Sequence, residues 1–211
     1  MDSFEDEFTA AFETGTLVGD RVVLDGLKNL PDDGEGLTVF CLYEKILESR
    51  EFLATHLPWV RDTSVTDLKK RIRSWVLATH LGQGGCWLIY DRSVLDAGKK
   101  LEGHEVEAFA GCIMIDVNLK NHSATVSYWL LEKFTGRGLM TEALDLVNKY
   151  CLYTLRLNRM EVFASVDNPK SGAVAERCGY LLEGICRDFE LKNGIFVDHR
   201  RYALLARDLK K

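Results

Sequence analysis

A mixed α/β layer fold follows from three features of this chain. Two stretches with helical apolar spacing come first, then three strand-length apolar runs, then a glycine-bearing turn that leads from a strand into a helix. With 211 residues, 46% of them hydrophobic, the chain can bury a sizeable core, and one domain is expected.

The elements run in order. Residues 1–19 form an acidic arm or helix, in which Phe4, Phe8 and Phe12 recur at a four-residue spacing among Asp2, Glu5, Asp6, Glu7 and Glu13. That stripe packs on the domain or at the contact of a homodimer. Residues 20–211 are read as a single domain. It opens with a strand at Arg21–Lys28, followed by a loop, LPDDGEG, marked by its glycines and aspartates. Leu37–Ser49 and Ser64–Leu81 have helical spacing, the second with Leu68, Ile72, Trp75, Val76 and Thr79 on one face, and HLPWV (His56–Val60) separates them. CWLIYD, EAFAGCIMID and ATVSYWLL read as three antiparallel-type strands, with a hairpin tip between Arg92 and Glu105.

After the glycine turn, Leu139, Ala143, Leu146, Val147 and Tyr150 define an amphipathic helix, and MEVFASV is the next strand. Asn168 then stands as an N-cap with Pro169 at the first helical position and Gly179 just past the end. Two closing strands, YLLEGICRDFEL and IFVDHRRYALLA, are joined through Lys192, Asn193 and Gly194. This order fits a Rossmann arrangement poorly.

Composition narrows the function. The apolar runs are broken by charge well short of the roughly 18 residues a membrane span needs, and the acidic N-terminus is unlike a signal peptide, so a soluble cytoplasmic protein is expected. Six cysteines without a CxxC pair, and histidines without paired ligand spacing, suggest neither a disulfide framework nor a metal site. A net charge of −5 argues against general nucleic-acid binding and suits a cationic acceptor such as a basic peptide or polyamine.

The chemistry is concentrated in YWLLEKFTGRGLMTEAL, Tyr128–Leu144. A strand that breaks at Gly136 and Gly138 into a helix start aims unpaired N–H groups and the positive end of the helix dipole at one small volume, which suits phosphate, and Arg137 adds a cation there. The plain alternative is a structural strand-to-helix turn. A P-loop fits less well, because GRGLMT lacks the GK[ST] ending.

Taken together, LPWV, YWL-x4-GxG-x2-TEAL, VDNPKS at Val166–Ser171 and CGYLLEG at Cys178–Gly184 resemble the GNAT superfamily of acyl-CoA N-acyltransferases, nearest to its RimJ/RimL-like ribosomal-protein N-terminal acetyltransferases. The likeness covers roughly Arg21–Leu209. It implies a mixed, mostly antiparallel central sheet of about seven strands with flanking helices. It implies acetyl-CoA as co-substrate, no metal, and acetyl transfer to a primary amine by direct attack in a ternary complex. The first-choice acceptor is a protein N-terminal α-amine; a polyamine or aminoglycoside is the alternative, and a silent acyl-CoA-binding regulatory domain is a further one.

By the same resemblance, Trp129, Leu130 and Leu131 lie where two strands splay around the pantetheine arm. The diphosphate rests on Thr135, Gly136, Arg137, Gly138, Leu139, Met140 and Thr141, with Asn168 and Ser171 nearby. Thr135 and Met140 depart from the family's Q/R-x-x-G-x-G/A signature, which leaves phosphate binding to main-chain N–H groups. The Leu130 N–H is assigned to the developing oxyanion. The family's tyrosine acid is replaced by Ala175, so Ser171 is the proton donor by resemblance; it also reads as a first-turn serine bonding to free helix N–H groups. The carboxylate many relatives carry is Thr125 here, and Glu190 matches the glutamate that RimL-like enzymes place beside the amine, or else faces solvent at a strand end. Asp116 and His122 are lesser candidates for the base. Asn168 serves as N-cap or cofactor contact, and Trp59 as core anchor or wall of the acceptor channel.

Overall fold

In a computed structural model, residues 8, 12, 14–29, 38–95 and 106–209 are described. Phe4, the LPDDGEG loop and most of the expected hairpin tip lie outside them. Among the described residues one eight-stranded sheet runs in the order β1-β2-β3-β4-β5-β6-β8-β7. Its strands are β1 (Leu17–Val18), β2 (Val22–Gly26), β3 (Gly84–Asp91), β4 (Phe109–Asn118), β5 (Ser123–Leu130), β6 (Arg159–Ser165), β7 (Leu181–Lys192) and β8 (Ile195–Leu205). Every pairing is antiparallel except β5 with β6.

The two-residue β1 is the strand the sequence did not signal. It pairs Leu17 with Leu24, so the sheet begins ahead of residue 20, inside the stretch assigned to the arm. Phe8 and Phe12 stack at 5.3 Å between ring centroids and are buried in this chain's own core. All eight residues of β3 are buried, as expected of a strand covered on both faces.

Helices α1 (Val39–Glu48), α2 (Arg50–Ala54) and α3 (Val65–His80) precede β3. The Thr38 hydroxyl accepts from the Cys41 N–H at the start of α1. Ser64 and Asp67 form a reciprocal capping box on α3, which satisfies two otherwise free N–H groups. Leu68, Ile72 and Thr79 are the buried positions of α3, while Trp75 and Val76 of the expected face are half-buried. Ile72 is fully enclosed. Ile72→Ala is therefore expected to cost about 2–5 kcal/mol, read as a lower denaturation midpoint with an unchanged m-value.

β5 connects to β6 through α4 (Leu139–Lys149), which ends in a π-helical turn at Tyr150–Thr154. α5 (Pro169–Arg177) follows β6 with the expected caps: Asn168 accepts from the Ser171 N–H, and Gly179 takes φ +84°. The last hairpin turns on Asn193 and Gly194 alone, both at positive φ (52° and 81°), as a type I′ turn requires. Lys192, assigned to that turn from sequence, instead ends β7 and is buried.

Candidate active site

The parallel β5–β6 ladder runs from Ser123 opposite Arg159 to Val126 opposite Val162 and stops there. β5 continues to Leu130, still paired with β4 out to Gly111. The Leu131 N–H donates to the Ala110 carbonyl at 2.8 Å, so the odd-numbered main-chain groups of this stretch face β4. By alternation, those of Tyr128 and Leu130 face the side that β6 has left. A notch lined by free backbone groups results, with Leu130 presenting its N–H into it. Trp129 and Leu131, its neighbours in the expected cofactor strand, have buried side chains in the core.

The notch leads to the glycine turn. Gly136 and Gly138 have φ of +74° and +77°, in the left-handed region where a side chain is strained. A Cβ on Gly136 would meet nothing within 4 Å, and one on Gly138 would meet only the Arg21 guanidinium, at 2.6 Å to Nη1. No side chain caps the start of α4, which leaves its first N–H groups aimed outward. Leu139 and Met140 are buried beneath the turn and fix its backbone. Thr135 spends its hydroxyl on the Glu132 carbonyl, and Thr141 accepts from Arg177 Nε at 3.1 Å. The surface the turn offers is thus mostly main chain.

Arg137 pairs with the buried Asp91 carboxylate (2.6 Å) and the Ser93 hydroxyl (3.1 Å), anchoring the turn to the end of β3. Arg21 stands over Gly138. The Glu142 carboxylate in the first turn of α4 accepts from the Asp20 and Arg21 main-chain N–H groups at 2.6 and 2.9 Å. This clamp places Arg21 between two adjoining clefts of about 410 and 340 Å³, one reaching Thr141 and Arg177, the other Arg92 and Arg137. Sequence offered no signal for Arg21, because its partner Glu142 lies far along the chain.

On the far side of the notch, the Ser171 hydroxyl donates to Tyr128 Oη at 3.3 Å, and Tyr128 Oη donates to the Ser171 carbonyl at 2.9 Å. Tyr128 thus brings a phenol beside Ser171 from a strand rather than a helix. Burial pushes this phenol up to about 12, so it stays protonated at neutral pH. Asn168 acts as the N-cap of α5.

Glu190 touches none of these residues; it lies on β7 and reaches β6 through β8. His199 on β8 lies opposite Ser165 on β6, and its Nε2 is 3.1 Å from Glu190 Oε2 on β7. Glu190 is half-exposed, with 40% of its side chain open, whereas His199 is buried. Two residues beyond Glu190, buried Lys192 pairs with Asp167 at 3.1 Å and lies 3.5 Å from His56 Nδ1. The HLPWV segment is thereby brought to the end of β6. The Ser165 hydroxyl, followed by Lys192, holds the Asp167 carboxyl below the usual range. Burial, reinforced by Lys192, pushes the His56 imidazole down, which favours its neutral form.

The lesser base candidates fall elsewhere. Asp116 sits opposite Thr125 in the closed part of the sheet, and His122 occupies a left-handed turn (φ 46°) between β4 and β5. Trp59 is half-buried, with the Arg71 guanidinium 4.3 Å from its ring centroid. Among the described residues no helix is long and apolar enough to cross a membrane, and no His, Cys, Asp and Glu group could hold a metal ion.

Comparison with known proteins gives a consistent result. YdaF of Bacillus subtilis (strain 168), named as a ribosomal N-acetyltransferase, is 35% identical over 119 residues, which is 56% of this chain and 63% of YdaF. The aligned part therefore spans less than two thirds of that relative. The ribosomal-protein-serine acetyltransferase of Escherichia coli (strain K12) is 27% identical over 77% of this chain and 84% of its own. A RimL ribosomal alpha-N-protein acetyltransferase in complex with coenzyme A superposes with a TM-score of 0.75 at 24% identity, covering 90% of this chain and 98% of that one; at this identity the likeness speaks for the fold. Residues 37–181, which include the notch, the glycine turn and α5, match the model of the acetyltransferase (GNAT) domain, and the chain belongs to that family.

Proposed function

We propose that this chain transfers the acetyl group of acetyl-CoA to a primary amine, the α-amine of a protein N-terminus of the ribosomal-protein type. The observation that carries the proposal is the ladder stopping at Val126, which leaves the Tyr128 and Leu130 backbone open beside the glycine turn. Open main-chain groups suit a pantetheine amide, and a side-chain-free turn at a helix start suits a diphosphate. Names among the relatives supply the acceptor class.

In this reading the catalytic domain takes in β1, ahead of residue 20, and Phe8 and Phe12 dock the segment before it. Gly136, Arg137, Gly138, Leu139, Met140 and Thr141 shape the cradle, and Trp129, Leu130 and Leu131 form the strand beside the cofactor. Acetyl-CoA supplies an activated thioester carbonyl. Leu130 donates its N–H to the charge that develops on the carbonyl oxygen. Glu190 takes the proton an ammonium must lose before it attacks. Ser171, backed by Tyr128, delivers a proton to the departing sulfur, and Asn168 holds the helix that carries Ser171. The acceptor enters between Glu190 and the His56–Val60 segment, where a neutral His56 does not repel it.

The test mixes purified protein and acetyl-CoA with serine- and alanine-initiated peptides, polyamines and aminoglycosides, and follows thiol release and acceptor mass. Acetylated peptide α-amines are the expected product. Turnover confined to the small amines would overturn the acceptor assignment, and tight coenzyme A binding without turnover on any amine would overturn the enzymatic one.

A further inference from the structure

The Glu190–His199 contact carries a role that Glu190 alone does not explain. We infer that His199 is a positioning residue that holds one carboxylate oxygen of Glu190, so that the other oxygen is presented to the acceptor ammonium. The inference rests on the proposed role of Glu190 as base.

Three observations support it. First, the imidazole is packed against an aromatic ring: it lies 4.7 Å from that of Phe189, tilted by 36°, and Phe189 stacks at 4.8 Å on Phe163. Second, its two nitrogens are unlike. Nε2 meets Glu190 Oε2 at 3.1 Å, whereas Nδ1 is buried without a hydrogen-bond partner. A proton on Nδ1 would be an unsatisfied buried donor, so the neutral ring favours the tautomer with its proton on Nε2, and that N–H points at the carboxylate. Third, the burial is asymmetric: His199 is 8% exposed, while the carboxylate it holds opens to the surface. This is the relation expected of a group that orients a reactive one from behind.

Among the described residues, no second side chain hydrogen-bonds to Glu190. From β7, the cross-strand neighbour of His199 is Cys186, and Lys192 is committed to Asp167. From β6 come Ser165, directly opposite, and the Phe163 ring. On β8 itself, Arg201 is turned to Glu161 and Glu183. In the proton transfer, an N–H bond of the acceptor ammonium breaks and an O–H bond forms at Glu190 Oε1. Oε2 stays on His199, and the proton leaves to solvent through the exposed edge of Glu190.

The experiment compares His199→Leu, which removes the donor, with His199→Gln, which keeps an N–H near the place of Nε2, alone and combined with Glu190→Gln. His199→Leu is expected to lower kcat about tenfold with the KM for acetyl-CoA within about twofold, because the carboxylate loses the group that orients it. His199→Gln should recover most of the rate. In a Glu190→Gln background, His199→Leu should cost nothing more. Wild-type rate in His199→Leu, no rescue by His199→Gln with coenzyme A binding intact, or an undiminished further loss in the double variant would each overturn the inference. Glu190→Gln at full activity would instead overturn the base assignment on which it rests, so the two failures are distinguishable.

Discussion

Gly138→Asp is expected to weaken coenzyme A binding about 100-fold or more while leaving the sheet folded. Two effects act together. At φ +77° any side chain is strained by about 1–2 kcal/mol, which a chain relieves by leaving the left-handed conformation and re-aiming the helix N–H groups. The carboxylate also stands where those N–H groups and the dipole favour an anion, and so competes with the cofactor's diphosphate for about 1–2 kcal/mol. At 1.4 kcal/mol per decade, the pair amounts to about two powers of ten. Gly138→Ala separates the terms, since its methyl meets only the movable end of Arg21 and carries no charge. Calorimetric titration with coenzyme A checks both variants. Affinity within threefold of wild type for Gly138→Asp, in protein with an unchanged circular dichroism spectrum, would move the phosphate site elsewhere.

Glu190→Gln should lower kcat about 100-fold near neutral pH with coenzyme A affinity unchanged, as expected for loss of a general base. The size of the defect should itself depend on pH and on the acceptor. A protein α-amine is half deprotonated near pH 8, so above about pH 9 the substrate arrives without the proton that Glu190 removes, and variant and wild type converge. An amine of pKa about 10.4 retains its proton there, and the gap stays open. Rate profiles from pH 6 to about 10, measured on a peptide and on a polyamine, therefore report on the base and the acceptor at once. Parallel profiles on both acceptors, with no convergence, would count against Glu190.

Most of the fold was legible in the chain because its signals are local. Apolar alternation, the Ser64 and Asn168 caps, Pro169, Gly179 and the Asn193–Gly194 turn each act within a few residues of themselves. The glycine turn at the start of α4 was legible for the same reason. β1 was not, since two residues carry no period, and its existence depends on β2 offering an edge. The charge pairs were hidden wherever their partners are distant. The Asp91 partner of Arg137 stands at the end of another strand. Arg21 looked like the first residue of a strand until Glu142 drew its backbone onto α4. Tyr128 alternates into the notch in a way the YWLL run could have suggested, but its bond to Ser171 depends on α5 folding against β5. His199 was invisible as a partner of Glu190 because the register shift in β7 between Cys186 and Glu190 intervenes between them.

The ladder that ends at Val126 also has a thermodynamic consequence. Wherever a sheet is left with strand-facing amides and carbonyls unpaired, whatever fills the gap completes it, and folding becomes linked to the concentration of that occupant. For one site, cofactor at 100 times its dissociation constant adds about 2.7 kcal/mol to stability, a large fraction of what holds a small domain together. The abundance of this protein would then follow the supply of acyl donor, through the survival of the folded chain as well as through turnover.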